Sequence, residues 1–374
     1  MVRIALVSWF SPAECKRNLP FACRDSLVMA PCPLPLMDFI MTQITSREIR
    51  LASRPQGLPT ADNFSMGSVA LPELAGGQVL VRNLYMSVDP YMRGRMNEGK
   101  SYVPPFEIGK PLEGGAVGEV VESKADAFKP GDVVLSSFGW REYFVTTPPE
   151  LQAIRHKAEP LSVYLGALGM PGMTAWLGLN LVEVKTGDTV FISGAAGAVG
   201  SMAGQLAKQR GCRVIGSAGS DAKVRFLREE CGFDVAFNYR TASNHEHLSR
   251  EVPDGIDVYF DNVGGEALEA ALCALRTRGR IIACGGIAMY NQEKPQPGPS
   301  NLFLVVVKRL TMKGFIVIDW LDRQKDFERE VGSLVAAGKL NCKETVVEGI
   351  DKAVAAFLGL FKGDNVGKMV VKLT

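Results

Sequence analysis

The sequence predicts an α/β protein with two domains, a small β-rich domain and a doubly wound parallel sheet. From about residue 41 to 165, short alternating strands are separated by glycine and proline turns, which is typical of a small barrel. From about 166 to 338, apolar strands alternate with helical segments, which indicates a parallel sheet covered by helices on both faces. A chain of 374 residues is long enough for both domains.

Residues 1–40 share neither pattern. They contain three of the eight cysteines and five prolines, without a stable amphipathic period. Pro12, Glu14 and Lys16 follow the short apolar run at the start, so the segment is a poor signal peptide. We expect residues 1–40 to be a poorly ordered extension, or to lie upstream of a true start at Met41 or Met37.

The β-rich domain contains four stretches with strand character. Residues 49–52 alternate between apolar and polar side chains, and 79–88 and 114–122 read as longer strands. The sequence Lys-Pro-Gly-Asp at 129–132 predicts a turn that leads into a further strand at 133–135.

The sequence of the second domain predicts a sheet of six strands. We expect strands at 189–193, 213–217, 235–238, 256–260, 280–284 and 312–317, and helices at 198–210, 221–230, 266–276, 300–309 and 322–337. Residues 339–374 return to β character and end in a strand at 367–373, which we expect to fold back onto the first domain.

Charge and cysteine usage exclude several classes of function. The net charge is only +2 and no basic block occurs, so we expect no contact with nucleic acid or with an anionic membrane. No apolar run reaches the ~18 residues that a membrane helix needs. The eight cysteines form no C-x-x-C pair, which favours free thiols in the cytoplasm over disulfides or a zinc site. His245 and His247 flank Glu246, but this trio is more typical of a solvated loop, so we expect no metal.

Residues 190–201 organise the second domain. They predict a buried strand, a tight glycine turn and the first turn of a helix, with the next strand one βαβ unit further on. Ala195, Gly197 and Gly200 form Ala-x-Gly-x-x-Gly, the dinucleotide fingerprint with alanine in the first position. Gly197 would let backbone approach a pyrophosphate, and the helix N-terminus would offer N–H groups to it. The turn therefore predicts a dinucleotide site rather than a purely structural corner.

The end of the second strand indicates which dinucleotide binds. Residues 217–220 carry no carboxylate for a ribose hydroxyl, and Lys223 follows closely enough to contact a 2′-phosphate. This favours NADP(H), although Asp221 could accept from a ribose instead of capping the next helix. The alternative for Lys223 is a solvated charge on the helix.

Two further turns follow the fourth and fifth strands, at 261–265 and 284–291, on the edge of the sheet where ligands bind. Cys284 is interpreted as a small buried residue rather than a nucleophile, because no histidine is near it in sequence. Without a metal, a developing oxyanion needs a hydrogen-bond donor, and Tyr290 is the best candidate for this catalytic role. A packing role at the rim is its alternative.

Over residues 45–374 the chain resembles the medium-chain dehydrogenase/reductase superfamily. Within it, the chain is similar to the zinc-independent NADPH-dependent alkenal/one reductases, which include prostaglandin, leukotriene, plant double-bond and bacterial curcumin reductases. The resemblance implies a GroES-like barrel and a Rossmann domain with the active site between them, and a homodimer. It rests on the stretches 51–55, 87–96, 168–175, 232–235, 260–265, 314–316 and 367–368.

The resemblance also implies roles for individual residues. Tyr91 would line the substrate pocket, Thr174 would lie near the nicotinamide, and Lys223 and Tyr239 would contact the adenosine phosphate end, with Arg240 as a possible addition. The remaining cofactor contacts would come from Gly197, Ala198, Val199, Gly200, Asn262, Cys284, Gly285, Gly286, Ile287, Ala288, Met289, Tyr290, Phe315, Ile316, Val317 and Asn365. Residues 111–114 lack the histidine that zinc-dependent relatives carry there.

The implied reaction is NADPH-dependent reduction of the C=C bond of an enone or enal. Hydride would reach the β-carbon, Tyr290 and the nicotinamide ribose would stabilise the enolate, and the α-carbon would take a proton from solvent. The first alternative is a zinc-free quinone reductase on the same fold. The second, from another class, is a protein that binds NADPH without catalysis, and the presence of both Tyr91 and Tyr290 argues mildly against it.

Overall fold

The computed structural model describes residues 43–155, 158–294 and 296–373, and these residues form three sheets. One sheet has two strands, one has six parallel strands, and one has seven mostly antiparallel strands. The expectation for residues 1–40 lies outside the described residues. Among the helices described, none is long and apolar enough to span a membrane.

The first half of the described chain is β-rich, as the sequence predicts. The two-stranded sheet pairs β1 with β2 in antiparallel register, and the following strands build most of the seven-stranded sheet. In chain order the elements are β1 (Thr45–Leu51), β2 (Phe64–Ala70), β3 (Val79–Ser87), α1 (Met92–Arg95), β4 (Ala116–Ser123), β5 (Val133–Ser136), β6 (Tyr143–Thr146) and β7 (Gln152–Ala153).

The second half alternates helices and strands. Its elements are α2 (Met170–Leu181), β8 (Thr189–Ile192), α3 (Ala198–Gln209), β9 (Arg213–Ala218), α4 (Asp221–Arg225), β10 (Val235–Asn238), α5 (Asn244–Glu251), β11 (Ile256–Asp261), α6 (Gly265–Ala274), β12 (Leu275–Ala283), α7 (Leu304–Val307), β13 (Thr311–Gly314) and α8 (Gln324–Ala336). The parallel order β10-β9-β8-β11-β12-β13 is that of a doubly wound sheet, so the predicted fold class is confirmed.

Two predicted elements are shorter than expected. The helix predicted at 300–309 is reduced to α7, which follows a turn at 301–303 and cannot continue past Arg309, where φ is +51°. The strand predicted at 312–317 ends at Gly314, where the chain turns into the 3₁₀ helix Val317–Arg323. The helix predicted at 221–230 is divided between α4 and one π turn at Phe226–Glu230.

Small residues let α3 pack closely on the sheet around one aromatic ring. A Cβ on Gly204 of α3 would lie 2.0 Å from the Phe233 ring, and a Cβ on Gly216 of β9 would lie 2.7 Å from it. Phe233 is buried in the main core cluster of this half. Its ring therefore fills the space that the two glycines leave, and it fixes the first βαβ unit that carries the glycine turn.

The last elements are β14 (Glu344–Glu348), α9 (Ala353–Lys362) and β15 (Lys368–Lys372). β15 pairs antiparallel with β3 and parallel with β14, so the end of the chain completes the seven-stranded sheet. Just before β15, the Gly367 N–H donates to the Ala196 carbonyl at 2.8 Å, which connects the C-terminal strand to the glycine turn. Gly367 has a φ of +66°, and a Cβ there would lie 2.0 Å from the Lys343 carbonyl oxygen.

Candidate active site

The glycine turn between β8 and α3 is shaped by backbone contacts. A Cβ on Gly200 would lie 2.6 Å from the Gly194 carbonyl oxygen and 2.7 Å from Ala195 Cα, so glycine is required there. Gly197 is the N-cap of α3 and contributes no capping side chain, and a Cβ on it would meet only the Gly194 oxygen, at 3.4 Å. The first N–H groups of α3, including those of half-buried Ala198 and Val199, therefore have no side-chain cap, which suits a phosphate.

A buried polar network fixes the turns that follow β8 and β11. Tyr259 Oη lies 2.7 Å from Asp261 Oδ1 and 2.9 Å from Ser193 Oγ. Asp261 Oδ1 also accepts from the backbone N–H groups of Val263 and Gly264, at 3.0 and 2.7 Å. Burial raises the pKa of Asp261, while these hydrogen bonds act to lower it. Sequence reasoning missed Ser193 and Tyr259, because they meet across neighbouring strands, 66 positions apart in the chain.

The predicted cofactor residue Asn262 is held by the same network. Its Nδ2 donates to the Ser193 carbonyl at 2.8 Å, and its own carbonyl accepts from the Ile287 N–H at 3.3 Å. The Ala288 N–H donates to the Val263 carbonyl at 3.1 Å. The turns after β11 and β12 are therefore bonded to each other as well as to the glycine turn.

Beyond the carboxyl end of β9, Lys223 lies in the first turn of α4. Ser220 caps this helix, since its Oγ accepts from the Lys223 N–H at 3.4 Å. Burial lowers the pKa of the Lys223 ammonium, Asp364 raises it and Arg240 lowers it. Asp221 accepts from Asn238 Nδ2 at 2.8 Å, so its carboxylate is already engaged by a neighbouring strand. The Tyr239 hydroxyl lies 2.8 Å from where a Cβ on Gly219 would be, beside the same strand end.

Tyr290 ends the short 3₁₀ turn Ile287–Met289 after β12. Its hydroxyl oxygen accepts a hydrogen bond from the Gly286 N–H at 3.4 Å, which leaves the phenolic proton for another acceptor. Burial raises the pKa of Tyr290, so the phenol is neutral at pH 7 and can donate. Burial also raises the pKa of the neighbouring Cys284 thiol to about 12, which makes it a poor nucleophile.

Other predicted cofactor residues already contact neighbouring parts of the protein. Thr174 Oγ1 donates to the Met170 carbonyl at 2.8 Å, and Asn365 Nδ2 donates to the Gly367 carbonyl at 2.8 Å. The side chains of Phe315 and Val317 pack against the core of the parallel sheet. Ile316 is half-buried and is the N-cap of the following 3₁₀ helix. Met289 is exposed and is the last residue of the 3₁₀ helix Ile287–Met289. The Gly285 N–H donates to the Asp261 carbonyl at 3.0 Å.

The sequence predicted Tyr91 as a residue of the substrate pocket but did not indicate Tyr102. Burial raises the pKa of both phenols, and Tyr102 interacts electrostatically with Tyr91 and with Tyr290. Tyr102 is half exposed and lies in the loop between α1 and β4, outside the motifs that the sequence analysis used. Tyr91, Tyr102 and Tyr290 therefore lie near one another.

A buried ion pair supports the turn that carries Tyr91. Lys368 of β15 donates to Asp89 Oδ1 at 3.0 Å and to the Val88 carbonyl at 2.9 Å, and its side chain is 4% exposed. The other carboxylate oxygen of Asp89 accepts from the Ser87 hydroxyl. The pair links the C-terminal strand to the segment just before α1. Within the described ranges, no group of three or more His, Cys, Asp or Glu residues is arranged to hold a metal ion.

Comparison with known proteins decides the family. Residues 47–154 match a family described as the N-terminal domain of oxidoreductase, and residues 198–336 match one described as zinc-binding dehydrogenase. The chain is 43% identical to a 2-alkenal reductase (NADP(+)-dependent) of Nicotiana tabacum, over 89% of this chain and 98% of that protein. The chain belongs to the zinc-independent medium-chain dehydrogenases/reductases.

Two further relatives agree with this membership. An NADPH-dependent curcumin reductase of Escherichia coli is 40% identical over 86% of this chain and 95% of its own. The structure of CurA in complex with NADPH from Vibrio vulnificus superposes with a TM-score of 0.84, at 40% identity, over 88% of this chain and 99% of that one. The resemblance inferred from the sequence motifs is therefore confirmed at the level of the family. The roles of the individual site residues stay predictions.

Proposed function

We propose that this protein is an NADPH-dependent reductase of the C=C bond in α,β-unsaturated ketones and aldehydes. The observation that carries the proposal is Tyr290, a neutral phenol with an unused proton on the turn bonded to the Asn262 turn. The names of the tobacco and Escherichia coli relatives, and the NADPH complex of CurA, support the substrate class and the cofactor.

The residues present fit NADPH at both of its ends. The open face of Gly197 and the uncapped N-terminus of α3 would hold the pyrophosphate. Lys223, beside exposed Arg240, would hold the 2′-phosphate, and the desolvation of Lys223 would strengthen that contact. When bound, NADPH supplies the hydride for the β-carbon of the substrate.

The chain's own task is to position the enone and to stabilise the charge that grows on its carbonyl oxygen. Tyr290 would donate its free proton in a hydrogen bond to this oxygen and so stabilise the developing negative charge. Because its pKa is raised, the phenol stays protonated while the enolate forms. The α-carbon then takes its proton from solvent. Tyr91 and Tyr102 would bound the space that the substrate occupies.

We also propose that the protein is a homodimer. β13 is the edge strand of the parallel sheet, and all four of its residues are exposed. Next to it, Phe303 is 73% exposed and Val306 64%, together with exposed Leu302 and Val307. An unpaired edge beside an apolar patch fits a second copy of the chain across a twofold axis. Light scattering on the native protein and on Phe303→Glu tests this, since a monomeric native protein would exclude it.

We also propose that the protein is located in the cytoplasm. Cys212, Cys231, Cys273, Cys284 and Cys342 are free thiols, which agrees with a reducing compartment. Cell fractionation with an antibody against the protein tests the location, and recovery with secreted material would contradict it.

The central experiment is a screen of NADPH oxidation with a 2-alkenal, a chalcone-like enone, curcumin and a quinone. We expect oxidation with the enal or the enones and a product two mass units heavier, in which NMR shows the C=C bond reduced and the carbonyl kept. Faster turnover of the quinone would favour the quinone reductase. NADPH binding without oxidation of NADPH by any of the four would favour the non-catalytic alternative.

A further inference from the structure

Arg93 is a buried cation without an acidic partner among the described residues. It is 3% exposed, and each of its side-chain nitrogens reaches one neutral acceptor. Nε donates to Asn291 Oδ1 at 3.2 Å, Nη1 to Asn97 Oδ1 at 2.6 Å, and Nη2 to the Gly57 carbonyl at 2.8 Å. Burying a guanidinium among neutral acceptors is costly, and burial accordingly lowers the pKa of Arg93. The cost of burying Arg93 indicates that its hydrogen bonds serve a purpose beyond packing.

The three acceptors belong to three separate segments. Gly57 lies between β1 and β2, Asn97 follows α1, and Asn291 is 198 positions from Arg93 in the half that carries the parallel sheet. Packing supports the same junction, since a Cβ on Gly57 would lie 3.0 Å from Glu293 Oε1 and 3.6 Å from the Asn291 carbonyl. One guanidinium thus joins both halves of the molecule on the substrate side of the cleft.

The positions of the bonded residues give this junction a role. Arg93 is two residues after Tyr91, and Asn291 immediately follows Tyr290. We propose that Arg93 and Asn291 form a positioning pair, whose hydrogen bond sets the placement of Tyr290 relative to Tyr91 across the cleft. The pair acts through Tyr290, so the inference rests on the proposed function.

Arginine suits this role better than lysine. Its planar fork fixes three donor nitrogens in one plane, whereas an ammonium group is a point charge with rotatable donors. Holding Gly57 and Asn97 with the two Nη atoms fixes the direction in which Nε faces Asn291. A displacement of the donor by ~1 Å is sufficient to cost ~10²-fold in rate, so loss of the bond should affect turnover more than cofactor binding.

The first test compares variants at one position. Asn291→Leu removes the acceptor at similar volume, and we expect kcat for an enone to fall roughly 10- to 100-fold with little change in NADPH affinity. Asn291→Asp keeps an acceptor oxygen for Arg93 and should retain most of the native kcat. Asn97→Leu removes another acceptor of the same guanidinium, away from Tyr290, and should lower kcat less than Asn291→Leu. Equal loss in all three variants, or a loss explained by a fall in melting temperature, would overturn the proposal.

The second test asks whether the effect passes through Tyr290. In a cycle with Tyr290→Phe, the double variant should be little slower than Tyr290→Phe alone, because the group that Asn291 positions is already gone. If Tyr290→Phe is slow and Asn291→Leu adds its full effect, the pair does not act through Tyr290, while the proposed function stands. If Tyr290→Phe keeps native turnover, the donor role in the proposed function fails, and the positioning role fails with it.

Discussion

The proposed cofactor side and the proposed substrate side of the site are built in different ways. On the cofactor side, backbone contacts shape the glycine turn, the N-terminus of α3 and the turns after β11 and β12. The Asp261 carboxylate accepts hydrogen bonds from the backbone of the turn after β11. On the substrate side, side chains from distant segments meet: Tyr91, Tyr102 and the Arg93 guanidinium. Backbone groups make most contacts of the cofactor side, whereas the substrate side brings together side chains that are remote in the chain. We therefore expect the cofactor side to be most sensitive to substitutions that add a side-chain atom, such as glycine to alanine. The substrate side should be most sensitive to substitutions that remove a charged or hydrogen-bonding group.

The largest effect is expected where the substrate side loses its buried support. Lys368→Met keeps the stem of the side chain but leaves Asp89 as an unpaired buried charge. The free energy of unfolding should fall by about 3–5 kcal/mol. Urea denaturation measures it. The control is Lys372→Met in the same strand, whose pair with Glu348 is long (4.0 Å) and exposed, so its change should stay within ~1 kcal/mol. Similar losses in both variants would contradict this account.

The next effect concerns chemistry alone. Tyr290→Phe should lower enone turnover by one to three orders, about 1.4–4 kcal/mol, with an unchanged NADPH dissociation constant. Because burial raises the pKa of Tyr290 above its usual value near 10, this donor should produce no alkaline loss of native turnover below about pH 10. Stopped-flow kinetics across pH measures both. The control is Tyr239→Phe, at the predicted adenosine end, which should affect cofactor affinity rather than kcat. Native turnover in Tyr290→Phe would remove Tyr290 from the mechanism.

A smaller effect tests the charged side chain of Lys223 on the cofactor side. Lys223→Ala should weaken NADPH binding by roughly 1.5–3 kcal/mol, the range for a charge-assisted hydrogen bond, and leave NADH binding nearly unchanged. Fluorescence titration with both cofactors gives the ratio. Arg240→Ala removes an exposed cation nearby and should cost less. If Lys223→Ala weakens NADPH and NADH equally, Lys223 does not recognise the 2′-phosphate.

The smallest expected effect tests the backbone construction of the cofactor side. Gly200→Ala adds a Cβ 2.6 Å from the Gly194 carbonyl oxygen, and this overpacking should cost about 1–3 kcal/mol of stability. Gly197→Ala adds the same group with its nearest contact at 3.4 Å, so it should keep the native melting temperature. Thermal unfolding of the two variants compares them. Equal melting temperatures would show that the turn relaxes more easily than its contacts indicate.

The same contrast explains what the sequence could predict. The six parallel strands and the glycine turn follow from local hydrophobic period and from glycine spacing, which operate within one βαβ unit. Within the motif at 87–96, the sequence analysis identified Tyr91 but not Arg93. The acceptors of Arg93 at Gly57 and Asn291 are remote in the chain, so no local pattern indicates them. Ser193 and Tyr259 were missed for the same reason. The domain boundaries at 165 and 338 and the roles of the site residues stay predictions.

The hydrogen bond from the Gly367 N–H to the Ala196 carbonyl has a practical consequence. This amide belongs to the last segment of the chain, yet its acceptor is part of the corner that a dinucleotide would touch. Its rate of deuterium uptake in the intact protein should therefore slow when the corner becomes rigid. A single proton near the carboxyl terminus would report occupancy at the opposite domain, without any dye or added label.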